Sequence, residues 1–332
     1  MLNDKIILIT GGTGSFGKKF TEVVFKKYKP KKVIIFSRDE FKQYEMAKIF
    51  PENKYPIRFF IGDIREKERL VRAFEGVDYI IHAAALKQVP ALEYNPFEAV
   101  KTNILGAQNI VEAVIETNVK KVIALSTDKA VNPINLYGAT KLAMEKIFVA
   151  AGSYVGAKDI KFCVVRYGNV VGSRGSVIPF FLDLTKQGVK ELPVTDDKMT
   201  RFWITLEQSV DLVFEALNNS MGGGIFIPKI PSMSVVTLAE AISGKKAYKV
   251  IGIRPGEKIH ETLINEDEGR NTVDMGKYFI IVPQFEFEIK GHKYNTKTSK
   301  IPDNFVYKSD TNDKWLSLGE LRKMIKYVGR EK

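Results

Sequence analysis

Tyr137 and Lys141 stand four residues apart, a spacing that puts both side chains on one face of a helix. An ammonium beside a phenol lowers its pKa and makes it a usable proton acceptor. The spacing alone also fits an ordinary surface pair, so its weight depends on where the helix starts. It starts a few residues after Ser126-Thr127-Asp128-Lys129, which closes an apolar run.

A second constellation lies near the N-terminus, in TGGTGSFG at residues 10–17. Gly11, Gly14 and Gly17 permit a tight turn, close approach to a pyrophosphate and packing of a helix on a sheet. Thr13, Ser15 and Phe16 fill the turn, and the helix that opens there presents free N–H groups to an anion. A glycine turn by itself is weak evidence, but this one has the strand before it and the helix after it that a dinucleotide site requires. At the end of the second apolar run, an NAD site would carry an acidic residue for the ribose 2′-OH. Here stand Ser37-Arg38-Asp39-Glu40 and Lys42. Arg38 and Lys42 suit a 2′-phosphate and Ser37 can donate to it, while Asp39 and Glu40 cap and start the next helix. The expected cofactor is therefore NADP. Asp63, followed by Ile64, places a carboxylate where an adenine amino group could lie, and Asp63 also reads as a helix N-cap.

The elements that must position these groups are legible as alternation. Apolar runs at 6–9, 33–36, 58–61, 79–81, 122–125 and 162–165 read as buried parallel strands. Helical stretches lie between them, near 40–49, 66–75, 96–117 and 138–152. The expected fold is α/β, a Rossmann-type doubly wound parallel sheet with a smaller C-terminal substrate-binding part. The division is expected at 1–170 for the cofactor domain and 171–332 for mainly substrate binding, with interleaved segments. Helices are expected at 176–187, 206–219 and 236–243, and a strand at 225–228. Residues 270–310 read as polar, strand-like and punctuated by aromatics.

Composition narrows the classes. Cys163 is the sole cysteine, which excludes an internal disulfide and a cysteine zinc site. His82, His260 and His292 show no ligand spacing, so no metal site is expected; His82 reads as a packed residue at the end of strand four, near the cofactor. No signal-peptide layout or membrane-length apolar run is present, and a cytoplasmic protein without membrane association is expected. The net charge of +12 raises nucleic-acid binding as a reading from another class, as for an inactive NADP sensor. The basic residues are scattered, as in Lys26-Lys27 and Lys120-Lys121, and fit a solvated surface better.

With these motifs in place, the chain resembles the extended short-chain dehydrogenase/reductases, which include sugar-nucleotide epimerases and dehydratases. A narrower resemblance runs through residues 82–90 (HAAALKQVP), 126–129 (STDK), 132–138 (NPINLYG), 166–175 (RYGNVVGSRG), 199–204 (MTRFWI), 227–232 (IPKIPS) and 254–258 (RPGEK). Together these are similar to the inverting, 5-epimerising UDP-N-acetylglucosamine 4,6-dehydratases that open pseudaminic-acid biosynthesis. Asp128-Lys129 stands where retaining dehydratases carry Asp-Glu, and the 127–137 loop is short, both as in the inverting group. Tyr137 points to the flagellar-sugar branch, because a capsule-type inverting relative has another residue there.

The resemblance implies oxidation at sugar C4, with Tyr137, tuned by Lys141, accepting the hydroxyl proton and Thr127 orienting or polarising the C4 oxygen. It implies Asp128 and Lys129 as the acid–base pair for the C5 hydrogen and the departing C6 hydroxyl, and return of the hydride to C6. Lys129 as the base and Asp128 as the acid is one division, and the sequence leaves open which handles which proton. Ala83 and Lys87 join the cofactor residues. Lys87, Asn169, Thr195, Arg201, Arg254 and Glu257 are implied around the UDP-sugar, Arg201 and Arg254 suiting a diphosphate. The alternative for Arg254–Glu257 is a plain turn with a salt bridge. A homo-oligomer, with a hexamer among its forms, is also implied. A C4 epimerase or a retaining dehydratase would share the fold and UDP-sugar site, but an epimerase has no use for Asp128-Lys129.

Overall fold

The inner apolar runs become strands because helices bury them on both faces, while the run at 57–61 forms a partly exposed edge strand. The computed structural model describes residues 1–173, 175–285, 294, 301–302 and 304–330; Arg174, His292 and most of the later part of the 270–310 segment lie outside the described residues. β1 (Ile6–Thr10), α1 (Ser15–Lys27), β2 (Lys32–Ser37), α2 (Glu40–Ile49), β3 (Ile57–Ile61), α3 (Lys67–Phe74) and β4 (Tyr79–His82) alternate. Then α4 (Val89–Tyr94), α5 (Pro96–Ala99), a π-helical stretch Val100–Leu105 and α6 (Gly106–Glu116) lead to β5 (Lys121–Thr127), α7 (Leu136–Ala150) and β6 (Lys161–Tyr167). These six strands are parallel in the order β3-β2-β1-β4-β5-β6. The order reverses between β1 and β4, the crevice where such sheets bind dinucleotides.

After β6 come β7 (Asn169–Val170), α8 (Val177–Lys186), β8 (Leu192–Val194), β9 (Thr200–Ile204), α9 (Leu206–Asn219), β10 (Ile225–Pro228), β11 (Ser232–Ser234), α10 (Val235–Ser243) and β12 (Tyr248–Val250). They are followed by β13 (Thr262–Ile264), α11 (Glu266–Gly269), β14 (Thr272–Asp274), β15 (Tyr278–Ile281), β16 (Tyr307–Lys308) and α12 (Leu318–Arg330). Three of these strands return to the large sheet. β10 pairs parallel with β6, and β15 and β14 extend the sheet antiparallel. α9 packs on α1, where Phe20 and Phe214 meet at 5.5 Å and Lys19 pairs with Glu207 at 3.0 Å. A second core, built from Ile178, Phe181, Leu192, Val194, Trp203, Leu238 and Leu321, joins α8, α10 and α12 to β8 and β9. The two cores are therefore interleaved along the chain.

Two local features depart from the expected elements. The helix expected over 96–117 is broken into α5, the π-helical stretch and α6; extra residues inside a helix often mark functional sites. The aromatic segment after residue 270 packs inward, with Phe279, Phe305 and Tyr307 within 5.2–6.5 Å of one another. Among the described residues no helix is long and apolar enough to cross a membrane.

Candidate active site

A cleft of about 690 Å³ opens at the C-terminal ends of β1, β2, β4 and β5. One end is the glycine turn, lined by Gly11, Thr13, Gly14, Ser15, Phe16 and Gly17. Gly11 has φ +65°, and a Cβ there would lie 2.8 Å from the backbone of Ala84, so only glycine lets the turn meet the loop after β4. Gly14 is the N-cap of α1 and offers no side chain to its free N–H groups, which leaves them for an anion. This cradle fits a dinucleotide.

At the end of β2, Ser37 is buried with its hydroxyl 3.1 Å from that of Thr13. Asp39 caps α2 by accepting from the Lys42 N–H, and Lys42 Nζ returns to Asp39 at 2.5 Å. Glu40 lies exposed in the first turn of α2, outside the cleft lining. Arg38 is half exposed and reaches Asp63 at 3.4 Å. Arg65 holds Asp63 more closely, at 2.7 Å. Burial works to raise the Asp63 pKa, but the hydrogen bonds and charge of Arg65, then Arg38, outweigh it and hold it below the ordinary carboxylate value. Asp63 does not cap α3, contrary to the sequence expectation. Its carboxylate accepts from the Arg65 N–H within a turn, and Glu66 occupies the N-cap of α3. Ile64 and Ala83 line the same end.

The other end holds the chemistry. Thr127 terminates β5, and Asp128–Ala130 forms a short 3₁₀ turn directly against the start of α7. A Cβ at Gly138 would sit 2.1 Å from the Lys129 carbonyl oxygen, so glycine sets how closely helix and turn approach. Asn135 caps α7 by accepting from the Gly138 N–H and donates to the Gly256 carbonyl at 2.8 Å. That bond ties the Arg254–Glu257 turn to the helix carrying Tyr137 and Lys141.

Thr127 Oγ1 donates to Asp128 Oδ1 at 2.9 Å, and Lys129 Nζ donates to the same oxygen at 3.1 Å. Asp128 has no exposed surface and does not line the cleft, whereas Thr127, Lys129, Tyr137 and Lys141 do. Asp128 therefore meets the cleft lining through Thr127 and Lys129, which makes Lys129 the nearer to the cleft of the two groups whose acid and base roles the sequence left open. Burial and the Glu261 charge raise its pKa. Burial opposes the Lys129 charge, yet Asp128 and Glu261 overcome it and hold the ammonium above its ordinary value.

Tyr137 differs from its sequence expectation. Burial pushes its phenol up to about 12, Lys129 lowers it, Asp128 raises it, and a hydrogen bond with Thr127 lowers it. Lys141 instead donates to the Leu125 carbonyl at 2.7 Å, and its own pKa is lowered by burial to about 8. In this arrangement Lys129, rather than Lys141, is the cation that tunes the phenol. His82 is the packed residue expected: its Nδ1 lies 2.8 Å from Thr10 Oγ1, its ring stacks on Phe148 at 5.7 Å, and burial drives its pKa down to about 3.

On the substrate side, Lys87 and Asn169 line the cleft, and Asn169 Oδ1 is buried without a protein partner. Desolvation and then Lys129 lower the Lys87 pKa. Thr195 is buried against Met199, Oγ1 to Sδ 3.3 Å. Arg201 sits behind the cleft, bonded to the carbonyls of Thr200 and Ile259 and paired with Glu257 at 3.4 Å. Arg254 is exposed on its turn, its N–H donating to Glu257. The structure thus brings Lys87 and Asn169 to the reacting groups and leaves Thr195, Arg201, Arg254 and Glu257 outside the cleft lining.

Two buried residues were missed from sequence. Asn103, in the π-helical stretch, accepts from the Leu86 N–H and donates to the Leu86 carbonyl, both at 2.9 Å, bracing the loop that carries Lys87. Glu261 lies 3.4 Å from Lys129 Nζ and 3.6 Å from Arg201 Nε. The only sequence hint of Glu261 was its place three residues beyond RPGEK; nothing local marks Asn103.

The family described as polysaccharide biosynthesis protein matches residues 7–283. A Campylobacter jejuni protein named UDP-N-acetylglucosamine 4,6-dehydratase (inverting) is 54% identical over 99% of both chains. A Rickettsia akari protein named UDP-glucose 4-epimerase is 42% identical over 98% of this chain and 96% of its own. The crystal structure of Pen from Bacillus thuringiensis superposes with a TM-score of 0.89 at 40% identity, covering 99% of each chain. By motif, fold and full-length similarity, this chain belongs to the polysaccharide biosynthesis protein family, a branch of the extended short-chain dehydrogenase/reductases that holds the inverting UDP-N-acetylglucosamine 4,6-dehydratases.

Proposed function

We propose that this protein is an NADP-dependent inverting 4,6-dehydratase. It converts UDP-N-acetylglucosamine to UDP-2-acetamido-2,6-dideoxy-β-L-arabino-hex-4-ulose, the opening step towards pseudaminic acid and flagellin glycosylation. The observation that carries this reading is the Asp128–Lys129 pair seated one residue from Thr127 and against Tyr137. A proton-transfer pair at that place is needed for loss of water and is superfluous for a C4 epimerase. The 54% identical relative bears the dehydratase name.

Gly11, Thr13, Gly14, Ser15, Phe16 and Gly17 would hold the pyrophosphate, and Ser37, Arg38 and Lys42 a 2′-phosphate. When bound, the nicotinamide supplies the oxidant that takes hydride from C4 and the reductant that returns it at C6. Tyr137, hydrogen-bonded to Thr127, takes the C4 hydroxyl proton as its phenolate, the form that the Lys129 charge favours against burial, and Thr127 orients the oxygen. Ketone formation at C4 makes the C5 hydrogen acidic. Lys129 is the member of the pair that lines the cleft, so it passes its proton to Asp128, removes the C5 hydrogen as the amine and gives that proton to the departing C6 hydroxyl. Once hydride is back at C6, the C5 carbanion takes a solvent-derived proton on the opposite face, and the C4 hydroxyl proton leaves Tyr137 for solvent. Asp128 is its proton store. Lys87 and Asn169 bind the sugar nucleotide from the cleft wall, with Thr195, Arg201, Arg254 and Glu257 supporting the region behind it. The protein works in the cytoplasm, without nucleic acid or membrane, as a homo-oligomer in which a hexamer is one form; exposed Tyr94 and Phe97 on α4 and α5 offer it an apolar surface.

The C4-epimerase reading is favoured by the 42% identical relative. Proton NMR of the purified protein with UDP-N-acetylglucosamine in deuterated water separates the two. A 4-keto-6-deoxy product carrying deuterium at C5 in the L-arabino configuration supports inverting dehydration. The D-xylo configuration overturns inversion, a galacto-configured product without C5 deuterium establishes the epimerase, and no consumption with NADP⁺ supplied rejects the substrate.

A further inference from the structure

Behind the Asp128–Lys129 pair sits a carboxylate that neither the motif string nor the reaction scheme uses. Glu261 is 2% exposed, immediately before β13. Its backbone is clamped by Ser309, whose hydroxyl accepts from the Glu261 N–H at 2.9 Å and whose N–H donates to the Glu261 carbonyl at 2.8 Å. From that fixed position Oε1 lies between Lys129 Nζ, at 3.4 Å, and Arg201 Nε, at 3.6 Å. Oε2 is buried without a hydrogen-bond partner, as is Oδ2 of Asp128. Burying an under-satisfied carboxylate is costly, and it faces a lysine that must both hold and release a proton.

We propose that Glu261 is a positioning residue for the elimination: its carboxylate holds the Lys129 ammonium against Asp128 and sets the proton affinity of that pair. The inference rests on the dehydratase reading above. The charged and titratable groups facing Lys129 are Asp128 beside it, Glu261 and Lys258 from the segment before β13, Arg201 from β9, Lys87 from the loop after β4, and Tyr137 from α7. Two of the six are carboxylates, and Glu261 acts on both members of the pair. Its charge raises Lys129 and also raises Asp128. Removing it lowers both proton affinities, so both limbs of a bell-shaped rate profile move the same way, towards acid.

The test compares wild type, Glu261→Gln and Glu261→Asp. For Glu261→Gln, kcat is expected to fall about 10- to 100-fold with KM changed less than about threefold, and the pH profile of kcat to move about one unit to acid. Glu261→Asp keeps the charge on a shorter arm; its profile is expected to stay at the wild-type pH with kcat lowered. A folded Glu261→Gln protein with wild-type kcat and profile overturns the proposal. If Glu261→Gln does not fold, wild-type kcat in Glu261→Asp overturns it. A second readout needs no turnover: NMR titration of the Lys129 side chain, assigned by its loss in Lys129→Arg, should move to acid in Glu261→Gln. A wild-type protein that makes no dehydrated product would reject the dehydratase reading, while an unmoved Lys129 titration would reject the role of Glu261 separately.

Discussion

Two buried ion clusters flank α7, and they are built differently. In the first, Arg166 on β6 meets Glu145 on α7 through two bonds, at 3.0 and 2.6 Å, and Glu268 on α11 through two more, at 2.9 and 2.8 Å. Its guanidinium also donates to the Leu263 carbonyl at 2.9 Å. In the second, Asp128, Lys129, Glu261 and Arg201 meet at 3.1–3.6 Å, and two carboxylate oxygens have no partner. The first has a guanidinium at its centre, a group that does not give up its proton in proteins and matches carboxylates in a planar fork. The second has an amine there, which exchanges protons with its neighbours. Full satisfaction makes a fixed joint between the sheet, α7 and the C-terminal segment; incomplete satisfaction leaves protons free to move.

The comparison breaks most readily at its two central cations. Lys129→Arg keeps the charge but cannot act as a base, so kcat should drop about 10²- to 10⁴-fold. The melting temperature should barely change, and loss of stability together with activity would show that Lys129 is structural. Arg166→Met should behave in the opposite way. It leaves buried Glu145 and half-buried Glu268 without their cation and should cost about 3–5 kcal/mol in urea unfolding. The activity per folded molecule should survive, and a selective loss of kcat would place Arg166 in the chemistry.

Asp128→Asn sharpens the second cluster. The proton store is lost, so C5 deuterium incorporation measured by NMR should slow by about 10- to 100-fold. The raised Asp128 pKa also has a stability consequence. Its folded form binds the proton more tightly than its unfolded form, so it stabilises at low pH and loses that contribution as pH rises through the folded value. The melting temperature of Asp128→Asn should therefore gain on wild type between pH 4 and pH 8, and a gap that narrows would contradict the raised value. The smallest effect lies outside both clusters, at His82. Its pKa falls from 6.5 to about 3, so the neutral ring is favoured and stability drops as pH decreases below 6.5. Below pH 6.5 the stability of His82→Asn should fall less steeply than that of wild type, by up to about 1.4 kcal/mol per pH unit. Equal slopes would mean that His82 is protonated in the fold.

The six-stranded order was legible because strands of a covered parallel sheet are contiguous apolar runs, as at Ile6–Thr10 and Lys121–Thr127. Local chemistry was legible too. The glycine turn, Asp39 as cap of α2, and Tyr137 and Lys141 on one helix depend on residues within a few positions of one another. The break in the helix before β5 was not legible, because the π-helical stretch is stabilised by Asn103 bonding to Leu86 and Thr140, 17 and 37 residues away. The short strands β7, β8, β11 and β12 carry too few residues to show a period.

The sequence by itself determined which residue types were available to the site, and it ordered them along strands whose ends converge. Only the tertiary structure decided their charge states. The Lys129 ammonium is held by Asp128 beside it and, from 132 positions later, by Glu261. The Tyr137 phenol is governed by burial and Lys129 rather than by the lysine four residues on, and Arg166 by glutamates 21 and 102 positions away. Proton affinity depends on desolvation and on charges within a few ångströms, and those distances exist only after the chain has folded.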